Sequence, residues 1–119
     1  MGTDLVEVPR FRLALERRAG LAERLFSEGE RAYAGRANDP AMRLAARFAA
    51  KEAVMKALGV GLGAFKFRDV EVTKRPGGAP ELALTGGAAA LAAKQDVRAW
   101  HLSLTHTDSM AMAIALALG

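Results

Sequence analysis

Residues 42–63 read MRLAARFAAKEAVMKALGVGLG, and this stretch decides the fold of the chain. The segment is rich in alanine, the strongest helix former, and has no glycine or proline before Gly59, so we predict one long helix. Gly59 is expected to end that helix. Gly61 and Gly63 lie in the loop that follows, where a glycine backbone can approach a ligand closely.

The predicted helix carries charged side chains between two apolar faces. Helical spacing places Arg47 and Lys51 four residues apart on one flank, and Glu52 and Lys56 four residues apart on the other. Charge that is buried without a partner is very costly, so each of these groups needs a partner. From periodicity alone, two ordinary rows of ion pairs on the helix surface are the simplest interpretation.

Length and composition indicate a single domain, residues 1–119, with enough apolar side chains to form a core. The chain has 119 residues, of which 51% are hydrophobic. No apolar run approaches the ~20 residues of a membrane-spanning helix, and the start MGTDLVEVPR lacks the pattern of a signal peptide. The absence of cysteine excludes disulfides and thiolate chemistry. We therefore expect a cytoplasmic protein with no membrane partner.

The charge balance favours an acidic partner. The formal net charge is +4 and the isoelectric point is about 10.0, so nucleic acids, phosphate-bearing cofactors and acidic proteins all qualify. Arginines cluster near the N-terminus, where they form either a solvated helix face or a docking patch for an acidic protein. A small basic RNA-binding module is one alternative, although one Trp and one Tyr offer few stacking surfaces for single strands.

The rest of the chain predicts an α+β domain built from helices and antiparallel hairpins. Ser27 and Glu30 have capping-box spacing, which marks a helix start, and Thr85 is expected to cap an alanine-rich helix. The last strand has large apolar side chains on one face and only alanine on the other, so we expect the alanine face to admit a close neighbour such as another subunit. The predicted strands are 2–6, 65–74, 81–84, 98–106 and 110–118, and the other predicted helices are 9–18, 21–26, 27–35 and 85–95.

Three blocks of sequence resemble the holo-acyl-carrier-protein synthase family of 4′-phosphopantetheinyl transferases. They are GTDLVEV at 2–8, RFAAKEAVMKALGVGLG at 47–63 and LSLTHT at 102–107, in the family's order and at about its spacing. The resemblance covers nearly the whole chain, with a first strand that is shorter at its start. It implies a curved antiparallel sheet packed on the long central helix. It also implies a reaction in which 4′-phosphopantetheine moves from CoA to a serine of an acyl carrier protein, and adenosine 3′,5′-bisphosphate leaves.

The resemblance assigns catalytic roles to Asp4, Glu52 and Lys56. Asp4 stands in the family's G-x-D and Glu52 in its K-E-A, which implies that the two carboxylates bind Mg²⁺. Lys56 is implied to neutralise a diphosphate oxygen or to protonate the leaving phosphate. Carboxylate oxygens suit Mg²⁺, which takes one or two of them together with waters and substrate phosphates. The serine proton needs a base, and both Asp4 and a metal-bound water are candidates. Without the resemblance, Asp4 is an ordinary turn residue at a strand end.

Four residues of the central block are candidates for contacts with the phosphates and the pantetheine arm of CoA: Arg47, Lys51, Gly61 and Gly63. His106 closes the family's S-x-[ST]-H, and the resemblance implies that it contacts the cofactor across a subunit boundary, because the family's short enzymes are trimers. Without the resemblance, His106 is an ordinary histidine at the end of a strand.

The N-terminal arginines are the candidates for docking an acidic carrier protein. Arg10 stands where the family places a carrier-binding arginine, Arg17 lies seven residues further on the same helix face, and Arg24 extends the patch. A second alternative is a non-catalytic homologue that acts as an interaction module. The filled chemical positions argue against that homologue, and the lack of a convincing nucleic-acid motif argues against an RNA-binding module.

Overall fold

A computed structural model describes residues 1–119 and contains five α-helices and five β-strands, which confirms the α+β class. A short 3₁₀ turn, Phe67–Asp69, leads into the second strand, and no helix combines the length and the apolar character that a membrane span requires. The strands are β1 (Gly2–Glu7), β2 (Val70–Lys74), β3 (Pro80–Leu84), β4 (Ala99–His106) and β5 (Met110–Leu118). The helices are α1 (Val8–Arg17), α2 (Leu21–Leu25), α3 (Glu28–Gly35), α4 (Pro40–Ala57) and α5 (Gly86–Lys94).

The strands form two antiparallel sheets. β5 is the central strand of a three-stranded sheet, with β1 on one side and β4 on the other. β2 and β3 form a separate hairpin, and β3 lies beside β4. In the three-stranded sheet, Asp4 lies opposite Ala113 and His106 lies opposite Ala111. The two site candidates are therefore on strands that β5 separates.

Alanine lines the contact between α4 and the three-stranded sheet. On the helix side, Ala49 and Ala53 are fully buried, and on β5 the same is true of Ala111, Ala113 and Ala115. Small side chains on both surfaces let the helix lie close to the sheet. The prediction that the alanine face of β5 admits another subunit is therefore wrong, because α4 already covers it. The larger apolar side chains of β5 lie on the opposite face of the sheet.

The ends of the helices follow the sequence signals with one exception. Gly59 has a φ of +72° and ends α4 as predicted, and Ser27 forms the predicted capping box with Glu30. Thr85 does precede α5, but its side chain makes no capping hydrogen bond, so that part of the prediction is wrong. The carboxylate of Asp69 instead accepts a backbone N–H of the first turn of α5 at 3.2 Å.

Candidate active site

The site begins with an unusually close approach of β1 to α4 at Gly2. A Cβ atom at this position would lie 2.0 Å from the carbonyl oxygen of Ala53 and 2.7 Å from the nitrogen of Ala57. Only glycine fits there without a shift of the backbone. Because side chains alternate along a strand, Asp4 faces α4 as Gly2 does. Sequence reasoning missed this role, although a glycine inside a strand is a recognised signal of close backbone approach.

Asp4 and Lys56 form an ion pair across the contact between β1 and α4. Lys56 Nζ lies 3.0 Å from Asp4 Oδ1 and also donates to the carbonyl oxygen of Thr3 at 3.0 Å. The Lys56 side chain is 54% exposed and that of Asp4 is 16% exposed. The lysine can therefore reach a ligand, whereas the aspartate is held in place.

Glu52 lies beside this pair without a salt bridge of its own. Burial raises the pKa of the Glu52 carboxyl, the charge of Asp4 raises it further, and Lys56 opposes the shift. The simple interpretation of Glu52 and Lys56 as an ion pair along the helix is not confirmed, because Lys56 pairs with Asp4 instead. Two carboxylates therefore share one lysine, and these three side chains together keep an excess of negative charge.

A cavity of about 530 Å³ opens over these three side chains. Arg10 also lines it, and its apolar wall includes Phe11 and Phe48, whose rings lie 5.1 Å apart. An apolar wall beside a polar end is typical of a small-molecule site. The arrangement suits a ligand with a phosphate group and an uncharged arm.

The donors in this cavity fit a hard divalent cation. No group of three or more His, Cys, Asp or Glu residues is arranged to hold a metal, so the protein supplies at most the carboxylates of Asp4 and Glu52. Mg²⁺ commonly takes one or two carboxylates and completes its shell with water and substrate phosphate. Burial is the main cause that raises the pKa of Glu52, and the charge of Asp4 adds to it, so a cation bound here would favour the ionised carboxylate.

A second cavity, of about 650 Å³, lies on the other flank of α4 and is basic. Its lining includes Arg43 and Arg47 of α4, Lys74 of β2 and His106 at the end of β4. Arg47 is only 4% exposed, and its Nε has no hydrogen-bond partner. This cavity thus brings together Arg47 and His106, two of the predicted cofactor contacts.

Lys51 does not have the predicted role in contacting CoA. Its side chain is fully buried, and its Nζ lies 2.8 Å from Glu30 Oε1 and 3.0 Å from the carbonyl oxygen of Phe67. Its third donor bonds the carbonyl oxygen of Val70. With every N–H in use and no exposed surface, Lys51 joins α3, α4 and β2 and cannot meet a cofactor. Burial lowers its pKa, and the neighbouring carboxylate of Glu30 opposes that shift.

The predicted glycine contacts lie in the exposed loop after α4. Gly63 has a φ of +93°, a backbone conformation that favours glycine. Gly61 has no positive φ. No atom lies within 4 Å of where a Cβ would stand on either residue, so the space beside both backbones is open. Their contact with CoA stays a prediction.

The predicted docking arginines Arg10, Arg17 and Arg24 are all exposed. Arg10 lines the cavity of Asp4 and Glu52, so it connects the surface of α1 to the candidate site. Arg12 is different, because it pairs with Asp39, which precedes α4, at 2.6 Å. The structure thus separates the exposed arginines of α1 from one that holds α1 against the start of α4.

Comparison with known proteins shows a similar sequence and a similar fold over nearly the whole chain. The family model of the 4′-phosphopantetheinyl transferase superfamily matches residues 1–115. The holo-[acyl-carrier-protein] synthase of Desulforudis audaxviator is 48% identical over 100% of this chain and 92% of its own. That of Caldanaerobacter subterraneus subsp. tengcongensis is 40% identical over 100% of this chain and 94% of its own.

Solved structures agree with these sequence matches. The holo-[acyl-carrier-protein] synthase of Neisseria meningitidis has a TM-score of 0.88 at 31% identity, covering 99% of this chain and 96% of its own. The Helicobacter pylori enzyme, solved in complex with coenzyme A, has a TM-score of 0.86 at 27% identity, covering 98% of each chain. The similarity therefore includes the segments that carry both cavities.

Proposed function

The chain belongs to the 4′-phosphopantetheinyl transferase superfamily and acts as a holo-acyl-carrier-protein synthase, and on this premise we propose which of its side chains carry the reaction. The enzyme transfers 4′-phosphopantetheine from CoA to a serine of an apo acyl carrier protein. A bond forms between the serine oxygen and the phosphorus that bears the pantetheine arm. The bond from that phosphorus to the bridging oxygen breaks, and its electron pair leaves on adenosine 3′,5′-bisphosphate.

The single observation that carries the assignment is the meeting of Asp4, Glu52 and Lys56 in one cavity. These residues come from two elements, and Lys56 Nζ lies 3.0 Å from Asp4 Oδ1. Asp4 and Glu52 would hold Mg²⁺, which when bound neutralises the diphosphate and the charge that develops on it. Asp4 is also this chain's own candidate for accepting the serine proton.

Lys56 acts on the leaving group in this proposal. Its ammonium is half-exposed and shares Asp4 with no other cation in the structure. When a diphosphate enters, the ammonium can turn from Asp4 to a phosphate oxygen, where it neutralises charge or supplies a proton. A lysine on a flexible stem suits this movement better than an arginine would.

The two cavities support a site shared between subunits. Asp4 and Glu52 line one cavity, whereas Arg47 and His106 line the other, on the opposite flank of α4. We call the cavity of Asp4 and Glu52 the acid cavity and that of Arg47 and His106 the basic cavity. We propose that CoA spans the acid cavity of one protomer and the basic cavity of the next in a homotrimer. The outer face of the three-stranded sheet is the proposed contact, because Leu5 is 60% exposed and Leu116 is 36% exposed there.

A mixing experiment tests this shared site. Glu52→Ala and His106→Ala variants are each expected to be inactive, but mixed trimers should regain part of the activity because some of their sites combine two intact halves. Light scattering gives the mass of the same samples. A fully active monomer at micromolar concentration would overturn the trimer, and so would mixtures that stay inactive despite proven subunit exchange.

Carrier docking completes the proposal. Arg10 is at the mouth of the acid cavity and Arg17 lies two turns along α1, so an acidic carrier bound there would bring its serine to Asp4. Arg24 in α2 extends the same basic surface. A cytoplasmic location stays a prediction from the sequence, as does the absence of a nucleic-acid partner. The comparisons give no support to an RNA-binding function.

The direct test is transfer itself. The protein is incubated with CoA, Mg²⁺ and an apo acyl carrier protein, and mass spectrometry follows the carrier. We expect the carrier to gain one phosphopantetheine group, and we expect a chelator to stop the reaction. An unchanged carrier mass, with a carrier that a known synthase modifies, would contradict the proposed function.

A further inference from the structure

Three cations surround the ring of Tyr33 at the basic cavity. The guanidinium carbons of Arg43 and Arg47 lie 4.5 Å and 4.4 Å from the ring centroid, and Lys74 Nζ lies 5.4 Å from it. A cation within about 6 Å of an aromatic centroid is attracted by the negative face of the ring. The ring comes from α3, whereas the cations come from α4 and β2. Tyr33 is therefore the one group that all three cations share.

No carboxylate neutralises these cations. Arg43, Arg47 and Lys74 take part in none of the salt bridges of the structure. The only acid that lines the cavity is Asp39, and Arg12 already pairs with it at 2.6 Å. The cavity therefore keeps an excess of positive charge, which suits an anion.

The buried guanidinium of Arg47 points to the same ligand chemistry. The residue is only 4% exposed, it lines the cavity, and its Nε has no hydrogen-bond partner. Burial is the main cause that lowers the pKa of Arg47, and Glu30 and Tyr33 oppose it. A buried donor without a partner is costly, so an anion that accepts from this side chain would stabilise it.

We propose that Tyr33 is a positioning residue that holds Arg43, Arg47 and Lys74 together for the adenosine bisphosphate end of CoA. The inference rests on the proposed function, which supplies a substrate with phosphates at that end. Three like charges repel one another, and the ring offsets this repulsion before any ligand arrives. Cations that are already in place lose less freedom on binding, so the ring raises affinity without touching the reacting atoms.

The hydroxyl and the ring have separable parts in this arrangement. Hydrogen bonding from Lys74 is the main cause that lowers the pKa of the Tyr33 phenol, and the charges of Lys74, Arg43 and Arg47 add to it. Tyr33→Phe keeps the ring and removes the hydroxyl, whereas Tyr33→Leu removes the ring. If the ring holds the cations, the leucine variant should bind the bisphosphate more weakly than the phenylalanine variant.

Calorimetry with adenosine 3′,5′-bisphosphate tests the proposal on the full chain. We expect Tyr33→Leu to raise the Kd about 10-fold and Tyr33→Phe to raise it about 3-fold or less. The KM for CoA should rise by the same factors, whereas kcat and the KM for the carrier protein should stay near those of the parent chain. Lys94→Met, which removes an exposed cation outside the cavity, is the matched control and should change neither constant.

Fluorinated phenylalanines at position 33 keep the test decisive if the leucine variant does not fold. Fluorine weakens the negative face of the ring at nearly constant volume, so affinity should fall with each added fluorine. An unchanged Kd across that series, or a loss of kcat with an unchanged KM for CoA, would overturn the proposal. If the parent chain binds the bisphosphate but transfers nothing to a carrier, the proposed function fails and the role of Tyr33 is still measured.

Discussion

Charged side chains on the two flanks of α4 have opposite surroundings. On one flank, Lys51 and Glu30 are both 0% exposed, and every donor of the lysine is in use. On the other flank, Glu52 has no salt bridge and Lys56 is half-exposed over a cavity. Each flank has two charged residues four apart, Arg47 and Lys51 on one and Glu52 and Lys56 on the other. The neighbouring elements decide which of these charges are already paired.

Lys51 therefore marks where the helix stabilises the fold, and Glu52 and Lys56 mark where it is open to a ligand. Lys51 meets three neighbouring elements. α3 supplies Glu30, and the 3₁₀ turn and β2 supply the backbone carbonyls that accept its other two hydrogen bonds. The open flank meets β1, which supplies Asp4 and so adds a second negative charge beside Glu52. A charged side chain whose partners are complete stabilises the structure. A charged side chain that lacks partners can bind a cation or a phosphate.

The largest expected effect on stability comes from removing the buried lysine. Lys51→Met leaves Glu30 as a buried carboxylate without its cation, so we expect the free energy of unfolding to fall by about 3–5 kcal/mol. Chemical denaturation measures this change. Lys94→Met at an exposed position should change the same quantity by less than about 0.5 kcal/mol. Equal effects of the two substitutions would mean that the buried flank does not stabilise the fold.

A glycine substitution tests the close contact that forms the open flank. Gly2→Ala places a Cβ 2.0 Å from a backbone oxygen of α4, so β1 must move away from the helix. We expect a loss of about 1–3 kcal/mol of stability and a fall in kcat, since Asp4 moves from Glu52. Gly35→Ala is the matched control, because nothing lies within 4 Å of its Cβ position. A variant with normal kcat would show that the position of β1 is not critical.

Charge reversal on α1 has a smaller and more selective effect. Arg10→Glu with Arg17→Glu should raise the KM for the carrier protein about 10-fold and flatten its salt dependence. Steady-state kinetics at several salt concentrations measure both, and Lys94→Glu with Arg98→Glu, at two other exposed positions, controls for the same change in net charge. The affinity for CoA should change less than that for the carrier, because Arg10 alone of the two lines the cavity proposed for CoA. If the double variant instead loses CoA affinity and keeps its carrier affinity, these arginines belong to the phosphate site.

The smallest expected effect concerns pH and the free carboxylate. The pKa of Glu52 is raised in the fold, so the native state binds this proton more tightly than the unfolded chain does. The protonated carboxyl therefore stabilises the fold at pH values below its ordinary pKa. This contribution is lost as the pH rises from that ordinary pKa of the unfolded chain through the raised pKa of the native state. Without metal, Glu52→Gln should therefore have a slightly higher Tm at pH 7 and a matching Tm in acid. A lower Tm at pH 7 would mean that the ionised carboxylate stabilises the fold.

The elements of the fold could be read from the sequence because their signals are local. Alanine content defined α4, Gly59 defined its end, and the capping box at Ser27 defined α3. The predicted subunit contact at the alanine face of β5 is wrong because small side chains suit a covering helix as well as a second subunit. Only the path of α4 across the sheet distinguishes the two.

The site was accessible from the sequence only in part. The resemblance supplied Asp4 and Glu52 by motif, and the structure brings them together although they are far apart in the chain. The sequence makes Lys51 a candidate contact for CoA because nothing local reveals that Glu30, on another helix, already neutralises it. Tyr33 gave no signal at all, since its three cations come from two other elements. Residues far apart in the chain decide which charges are paired, and a single sequence does not show which of them come into contact.

The central claim is that the open flank of α4 carries the chemistry, and one rate measurement tests it most directly. The rate of phosphopantetheine transfer to an apo carrier protein is measured with Mg²⁺ for the parent chain, Asp4→Ala and Glu52→Ala, alongside the Tm of each. We predict that both variants lose at least about 100-fold in rate while their Tm stays close to that of the parent. Transfer at the parental rate by either folded variant would contradict the account.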